Sequence, residues 1–228
     1  MNKICITGAK GFVGHSLCSA LLKLNRNFCG TVRKKNSSPL NHKIKYLSVG
    51  DIGSETNWIN VLRGYDCIIH CAGKSHIMNK KSLPKHYHSI NVDGTRRLAI
   101  QAASLGVKRL VFLSSVKVNG ERSDIDFNDS IENDNRYKIF NHKDLPNPKD
   151  SYAVSKFEAE KILWEISANT GLEGVVVSIP LVYGYGAKGN LKHLMKLINF
   201  GVPLPFNNVN NRRSLIGIDN LSNLIANC

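Results

Sequence analysis

The strongest constraint on the fold is a set of three glycines between an apolar strand and an amphipathic helix at the start of the sequence. Residues 3–7 form the apolar run, glycines follow at positions 8, 11 and 14, and the helical pattern continues to about residue 24. Glycine tolerates backbone conformations that other residues avoid, so this spacing predicts a tight turn that leads directly into a helix. A strand, turn and helix in this order predict the first unit of a parallel α/β sheet.

The same alternation of strand and helix continues along the chain. Further strands are expected at residues 28–33, 44–49, 65–71, 108–115 and 173–179, and further helices at 54–63, 83–105 and 150–170. This order predicts the α/β fold class, with a Rossmann-like, doubly wound parallel sheet that carries helices on both faces. The alternation weakens after Pro180, so we divide the chain into a domain over residues 1–180 and a smaller region over 181–228.

Composition argues against several other classes of protein. The 228 residues carry a formal net charge of +14, but the basic residues form no single tract and only 7% of residues are aromatic, so we expect no nucleic-acid partner. No apolar run approaches the roughly 18 residues that cross a bilayer, so we expect no membrane partner. The six cysteines lack the spacing of a zinc site or a disulfide framework. We therefore expect a cytoplasmic protein with reduced cysteines and no metal.

The glycine turn also predicts a ligand. A helix N-terminus offers free N–H groups and the positive end of the helix dipole to a phosphate. In this strand-to-helix context the motif predicts a dinucleotide pyrophosphate, although a purely structural glycine turn is the alternative. The residues expected to hold it are Gly8, Lys10, Gly11, Phe12 and Val13.

The end of the second predicted strand bears on the identity of the dinucleotide. A site that prefers NAD usually places Asp or Glu there, whereas this sequence has Arg33, Lys34 and Lys35. An arginine at this position suits the 2′-phosphate of NADP by charge and geometry. We therefore favour NADP(H), with NAD(H) as the alternative. These bases can also be ordinary solvated loop residues.

A tyrosine and a lysine near the start of the helix at 150–170 are candidates for catalysis. Tyr152 and Lys156 are four residues apart and so share one face of that helix. A nearby ammonium is expected to lower the pKa of Tyr152 towards neutrality, which would let the phenol exchange a proton with a carbinol or carbonyl. Ser115 closes a predicted strand at the carboxyl edge of the sheet and could bond the same substrate oxygen, unless it merely ends the strand.

These segments together resemble the extended short-chain dehydrogenase/reductase family, in its nucleotide-sugar epimerase/dehydratase branch. The resemblance runs along the whole chain and depends on TGAKGFVG at 7–14, GDI at 50–52, HCAG at 70–73, NVDGT at 91–95, FLSSVKVNG at 112–120, YAVSK at 152–156 and PLVYG at 180–184. It implies Ser115, Tyr152 and Lys156 as the catalytic triad.

Further site residues follow from the resemblance and from positions at the sheet edge. Besides Tyr152 and Lys156, the additional residues expected near the cofactor are Asp51, Ile52, Ala72, Gly73, Asn91, Ser114 and Pro180. The resemblance implies that a UDP-linked sugar is bound by Lys74, Ser115, Asn190, Leu191 and Arg213, with residues 203–206 near the base.

Departures from the family pattern narrow the expected activity. Val116 and Lys117 stand where sugar dehydratases carry an Asp-Glu pair, which argues against dehydration. The sequences of several segments resemble those of 4-keto-reductases of O-antigen synthesis. We therefore expect reduction of a UDP-4-keto-6-deoxy-hexosamine. The alternatives are a UDP-hexose 4-epimerase with tightly bound NAD and a non-catalytic nucleotide-binding module, since a fold does not determine a function.

Two expectations concern assembly and extent. The apolar helices at 83–105 and 151–170 are expected to form a four-helix homodimer interface, as is common in the family. Family members are usually longer than this chain, so we also expect a partial chain whose C-terminal substrate lobe, over residues 181–228, is incomplete.

Overall fold

Six parallel strands form the central sheet of the protein. The structure is a computed structural model that describes residues 3–34, 42–75, 83–121, 140–141, 143–187, 190–204 and 213–228. The strands are β1 (Ile4–Thr7), β2 (Phe28–Val32), β3 (Lys45–Ser48), β4 (Cys67–His70), β5 (Arg109–Ser115) and β6 (Glu173–Ile179). Their order across the sheet is β3-β2-β1-β4-β5-β6, and every neighbouring pair is parallel. This order confirms the Rossmann-like, doubly wound fold.

Helices connect the strands and continue beyond them. They are α1 (Phe12–Lys23), α2 (Ile59–Leu62), α3 (Pro84–Tyr87), α4 (Gly94–Ser104), α5 (Ser151–Asn169), α6 (Asn190–Asn199) and α7 (Ile218–Ala226). A π-helical turn over His88–Asp93 joins α3 to α4, and a 3₁₀ turn over Val116–Val118 follows β5. Two further parallel strands, β7 (Leu181–Tyr183) and β8 (Leu215–Gly217), form a separate small sheet.

The predicted helix at 54–63 is much shorter than expected. Only Ile59–Leu62 is helical, because the hydroxyl of Thr56 bonds the loop backbone instead. It accepts the Gly53 N–H at 2.9 Å and donates to the Asp51 carbonyl at 3.0 Å. Such local side-chain bonds compete with helical ones, so the chain stays in turns up to Trp58.

Apolar side chains pack on both faces of the sheet. One face is covered by α4 and α5. Its core contains the fully buried side chains of Trp58, Leu98 of α4 and Leu163 of α5. On the other face α1 packs beside α7, where Leu221 is buried and the Ser222 hydroxyl donates to Ser16 at 2.9 Å. Helix α7 therefore contributes to the same core as the N-terminal unit. No helix in the described part of the chain is long and apolar enough to cross a membrane.

The order of the strands indicates the edge of the sheet at which a ligand is expected to bind. Strand β1 lies between β2 and β4, so the chain reverses its winding direction at the boundary of β1 and β4. Ligands of doubly wound sheets bind outside the carboxyl ends of the strands at such a switch point. The residues that end β1, β4 and β5, namely Thr7, His70 and Ser115, all belong to this edge.

Candidate active site

The predicted catalytic serine and tyrosine meet at the carboxyl end of β5. Ser115 is the last residue of β5, and Tyr152 lies in the first turn of α5. A hydrogen bond joins their side chains. The Ser115 hydroxyl also accepts the Lys117 backbone N–H at 3.3 Å, and the Tyr152 ring packs edge-on against Tyr87 with centroids 6.1 Å apart. The two side chains are thus held against each other by both segments.

The predicted catalytic lysine lies one helical turn further along α5. Lys156 is 6% exposed, and its Nζ donates to the Leu113 carbonyl at 2.8 Å. The same Nζ lies 4.5 Å from the centroid of the Phe112 ring. Burial disfavours the ammonium and lowers the pKa of Lys156 from 10.5 to about 8. The lysine is therefore a poorly solvated cation that can change its protonation state in mildly alkaline solution.

The expectation that Lys156 lowers the pKa of Tyr152 is wrong. The pKa of Tyr152 is raised above its usual value, because burial penalises the phenolate and outweighs every other influence. The hydrogen bond with Ser115 lowers the pKa, while the charges of Asp150 and Tyr87 raise it. The Lys156 ammonium is bonded to the Leu113 carbonyl instead. Sharing a helix face with a lysine was not enough to make the phenol acidic.

Asn91 ties the loop after β4 to helix α5. Its side-chain oxygen accepts the Lys74 N–H at 2.7 Å, and its Nδ2 donates to the Lys74 carbonyl at 3.1 Å. Nδ2 also donates to the Ser155 hydroxyl at 2.9 Å. The residue is buried in the π-helical turn, a distortion that often marks functional sites. The amide therefore contacts Lys74 and Ser155, and the expected place of Asn91 near a cofactor stays a prediction.

A buried histidine that the sequence reasoning did not single out joins three elements of this edge. His70 Nδ1 lies 2.6 Å from the Thr7 hydroxyl, and Nε2 lies 3.2 Å from the Thr95 hydroxyl. Thr7 also accepts the Ala72 N–H at 3.1 Å. Burial lowers the pKa of His70 to about 3, so the ring is neutral and serves to position its neighbours. The HCAG segment contained this residue, but nothing local marked its partners.

A partly buried carboxyl contacts Ser114, the residue before the predicted catalytic serine. The Ser114 hydroxyl donates to the Glu160 carboxyl, one turn beyond Lys156 on α5. Burial raises the pKa of Glu160, while the Ser114 bond and the charge of Lys156 lower it. Ser114 therefore contacts α5 with its side chain, and its expected contact with a cofactor stays a prediction.

The glycine turn brings the ends of β1 and β4 into contact. Gly8 has a φ of +67°, and a Cβ added there would lie 2.8 Å from the backbone of Ala72. Any larger residue would push the two strand ends apart. Gly73, which follows Ala72, is less tightly confined, since an added Cβ would lie 3.1 Å from the Asn91 side chain and 3.5 Å from Lys156 Nζ.

Helix α1 begins at the same turn. Gly11 precedes its first residue, and helix geometry leaves the N–H groups of Phe12 and Val13 without partners inside the helix. Lys10 lies in the turn with its Nζ 5.6 Å from the centroid of the Tyr46 ring. Unpaired N–H groups at a helix start, beside glycines that keep the approach free of side chains, fit a dinucleotide pyrophosphate.

The basic end of β2 is joined to an acid from the next strand connection. Arg33 Nε lies 2.7 Å from Asp51 Oδ1, and both side chains are well exposed. Lys35 lies outside the described residues. Ile52 packs close to α4, where a Cβ on Gly94 would lie 2.5 Å from its Cγ2. The tertiary structure therefore supplies the carboxylate that β2 itself lacks.

The remaining predicted residues lie along the C-terminal part of the chain and near Asn91. Pro180 follows Ile179, the β6 residue paired in register with Ser115. Lys74 places its Nζ 5.8 Å from the centroid of the Tyr87 ring. The substrate contacts expected further on map as follows: Asn190 begins α6, Leu191 follows it, and Arg213 is exposed just before β8. Residues 205–206 lie outside the described part, and within it no cluster of His, Cys, Asp and Glu could hold a metal ion.

A doubly wound sheet with a glycine turn at its switch point and a Ser, Tyr and Lys constellation at the next strand end defines a dinucleotide-dependent oxidoreductase class. The model of the NAD dependent epimerase/dehydratase family matches residues 4–225. The chain therefore belongs to this family, which confirms the resemblance to extended short-chain dehydrogenases/reductases.

Several known proteins are similar to the chain. A UDP-glucose 4-epimerase of Vibrio cholerae is 37% identical over 100% of the chain and 66% of its own length. The N-acetyl-alpha-D-glucosaminyl-diphospho-ditrans,octacis-undecaprenol 4-epimerase of Escherichia coli O157:H7 is 25% identical over 98% of the chain and 62% of its own length. The chain thus spans less than two thirds of the length of these two relatives. The structure of UDP-glucuronic acid 4-epimerase from Bacillus cereus in complex with NAD superposes with a TM-score of 0.78, at 22% identity, covering 98% of the chain and 72% of that structure.

Proposed function

We propose that the protein carries out NAD(P)-dependent oxidation and reduction at C4 of a UDP-linked sugar, with Tyr152 as general acid and base. The observation that carries this proposal is the bonded Ser115–Tyr152 pair beside the buried Lys156, at the same sheet edge as the glycine turn. The Vibrio cholerae relative, a UDP-glucose 4-epimerase, supports the sugar class. The NAD complex of the Bacillus cereus structure supports the cofactor class.

The residues of the chain divide the chemistry between them. A nicotinamide dinucleotide held at the glycine turn supplies reversible hydride transfer. Tyr152 takes the proton of the C4 hydroxyl as the carbinol is oxidised and returns it as the carbonyl is reduced. Ser115 hydrogen-bonds the same oxygen and limits its movement. Lys156 keeps a cation under the site, where low polarity strengthens its interaction with developing negative charge.

A 4-epimerase is the first candidate for the complete reaction. Epimerisation needs no net oxidant, because the hydride removed from C4 returns to the opposite face. Both named relatives are 4-epimerases, which supports this candidate. The Arg33–Asp51 ion pair also favours it, since a carboxylate beside the arginine weakens attraction for a 2′-phosphate and suits the ribose hydroxyls of NAD.

A 4-keto-sugar reductase is the second candidate. It is favoured by the basic end of β2, where Arg33 and Lys34 follow the strand. Dehydration is disfavoured, because Lys117 stands in a segment where sugar dehydratases carry acids. Its ammonium is paired with the Asp150 carboxylate. The two candidates differ in direction and cofactor retention, while both use the same Tyr152.

Cofactor release and two turnover assays distinguish these candidates. Acid release of nucleotide from the purified protein, followed by chromatography, should yield NAD, and NMR should show interconversion of UDP-glucose or UDP-N-acetylglucosamine with its C4 epimer. The reductase predicts a nucleotide-free protein that consumes NADPH absorbance with a UDP-4-keto-6-deoxy-hexosamine. Absence of both activities, with cofactor binding intact, would favour the non-catalytic nucleotide-binding module.

Replacing Tyr152 by Phe tests the proposed acid–base role. Turnover should fall by about two to four orders of magnitude, the usual contribution of a positioned proton-transfer group. Cofactor binding, measured by calorimetry, should be nearly unchanged because the ring remains. Tyr65→Phe is the matched control, since Tyr65 precedes β4 at the opposite, amino-terminal edge. Wild-type turnover in Tyr152→Phe would show that another group moves the proton.

We also infer that α4 and α5 form a homodimer interface. Ile100 is 47% exposed and Trp164 is 50% exposed, so apolar side chains line the outer surface of both helices. Exposed apolar side chains grouped on neighbouring helices suit burial against a second copy. Light scattering after gel filtration should give twice the chain mass, and Trp164→Glu should give the monomer.

A further inference from the structure

An ion pair joins the two segments that carry Ser115 and Tyr152. Lys117 follows Ser115 by two residues, and Asp150 precedes Tyr152 by two residues. The Lys117 Nζ lies 2.6 Å from Asp150 Oδ2. Their side chains are 35% and 24% exposed, so the pair is partly sheltered from water and weakly screened compared with a surface pair.

Each partner also makes a second hydrogen bond in the segment that carries one of the two proposed catalytic side chains. The Lys117 N–H donates to the Ser115 hydroxyl at 3.3 Å. The second carboxylate oxygen of Asp150 accepts the Ala153 N–H at 2.7 Å, which caps α5 at its N-terminus. One carboxylate thus connects the lysine after β5 with the helix turn that contains Tyr152.

The pair also sets the charge next to the phenol. The groups that influence Tyr152 besides burial are Ser115, Asp150 and Tyr87, and the Asp150 charge raises the pKa of Tyr152. Lys117 places a positive charge against that carboxylate, and Glu121 lies 3.5 Å from the same Nζ. Removing Lys117 would leave the Asp150 charge without this partner, beside a group that must become an anion to accept a proton.

We propose that Lys117 and Asp150 form a positioning pair that holds Ser115 and Tyr152 in register and compensates the negative charge beside the phenol. This inference rests on the proposed acid–base function of Tyr152 and adds two residues to it. Neither residue transfers the proton, and both act through the groups that they hold. The pair links positions 33 residues apart, whose packing depends on the tertiary structure.

Three variants separate positioning from general structural damage. In Lys117→Met, kcat should fall about tenfold at little change in KM, as expected for loss of alignment rather than binding. The ascending limb of the pH–rate profile should move to higher pH, because the Asp150 carboxylate, no longer paired with Lys117, disfavours the phenolate. Asp150→Asn should move that limb to lower pH, since the amide oxygen can still cap α5 without a charge. Lys117→Arg should restore wild-type behaviour.

Hydrogen exchange provides a measurement that does not depend on turnover. The Ala153 amide should exchange several-fold faster in Lys117→Met, because its acceptor is no longer held. Lys108→Met is the matched control, as it breaks the Lys108–Asp66 pair, 3.7 Å apart, at the far end of β5. Absence of turnover in the wild-type protein would contradict the proposed function. The exchange rate of the Ala153 amide would then be the test of the positioning pair. An active wild-type protein whose pH profile and Ala153 exchange are both unchanged in Lys117→Met would overturn the inference.

Discussion

Burial of Lys156, the proposed catalytic lysine, should make the folded protein less stable than a variant without that charge. The pKa of Lys156 falls from 10.5 to about 8, which corresponds to about 3 kcal/mol of lost stability at neutral pH. Methionine has a similar length and no charge, but it forfeits the hydrogen bond to the Leu113 carbonyl, a loss of about 1 kcal/mol. Lys156→Met should therefore stabilise the protein by about 2 kcal/mol at pH 7 while abolishing turnover.

The pH dependence gives this prediction its sign. Above pH 8 the folded protein loses the Lys156 proton, whereas the unfolded chain keeps it up to pH 10.5. Unfolding then takes up a proton, so the stability of the wild-type protein rises across this interval. The Lys156→Met variant lacks this rise. The variant is more stable than the wild type by about 2 kcal/mol at pH 7, and this difference should shrink as the pH rises. Near pH 10.5 the variant should be less stable by about 1 kcal/mol.

Urea unfolding followed by circular dichroism at several pH values between 7 and 10 measures this difference directly. Other groups titrate in the same interval, but they do so in both proteins and cancel in the comparison. Lys161→Met is the control, because this exposed lysine of α5 should give a difference that stays nearly constant with pH. A difference between wild type and Lys156→Met that does not change between pH 7 and pH 10 would refute the reasoning.

Three further substitutions test the cofactor end and the support of the site. Gly8→Ala should destabilise the protein by about 3 kcal/mol through a positive φ and a backbone clash, whereas Gly64→Ala, at φ +78° in open space, should lose about 1 kcal/mol in urea unfolding. Asn91→Ala should lower stability by about 1–2 kcal/mol, because it removes the partners of the partly buried backbone N–H and carbonyl of Lys74. Asp51→Asn should shift calorimetric affinity from NAD towards NADP by up to about fivefold, because it frees Arg33.

Each of these predictions has an outcome that contradicts it. Equal losses in the two glycine variants would mean that the approach of the turn to β4 is unimportant. An Asn91→Ala protein as stable as the wild type would mean that other groups or water replace the amide. An unchanged ratio of affinities in Asp51→Asn would mean that Arg33 does not lie beside the adenosine ribose.

The parts of the fold that depend on local pattern were predictable. The glycine turn, the apolar strands and the amphipathic helices are set by residues close in sequence, whereas the strand order that creates the switch point is given by the tertiary structure. The predicted length of the helix at 54–63 was wrong, because the Thr56 hydroxyl forms hydrogen bonds with the loop backbone. The π-helical turn that turns Asn91 towards Lys74 also lies inside a pattern that reads as one regular helix.

The electrostatics of the site depend on contacts between distant residues. Spacing placed Tyr152 and Lys156 on one helix face, yet the direction of the Tyr152 pKa shift is set mainly by burial, which only packing determines. The Arg33–Asp51 pair likewise brings a carboxylate to a strand end that has none of its own.

The sequence by itself therefore determined the fold class and predicted the candidate catalytic side chains, because strand alternation and motif spacing are local properties. Only the tertiary structure decided which of those side chains are buried, which charges face them and how Lys117 is joined to Asp150. Desolvation and long-range ion pairs arise when separate segments pack together, and that packing sets the proton chemistry of the site.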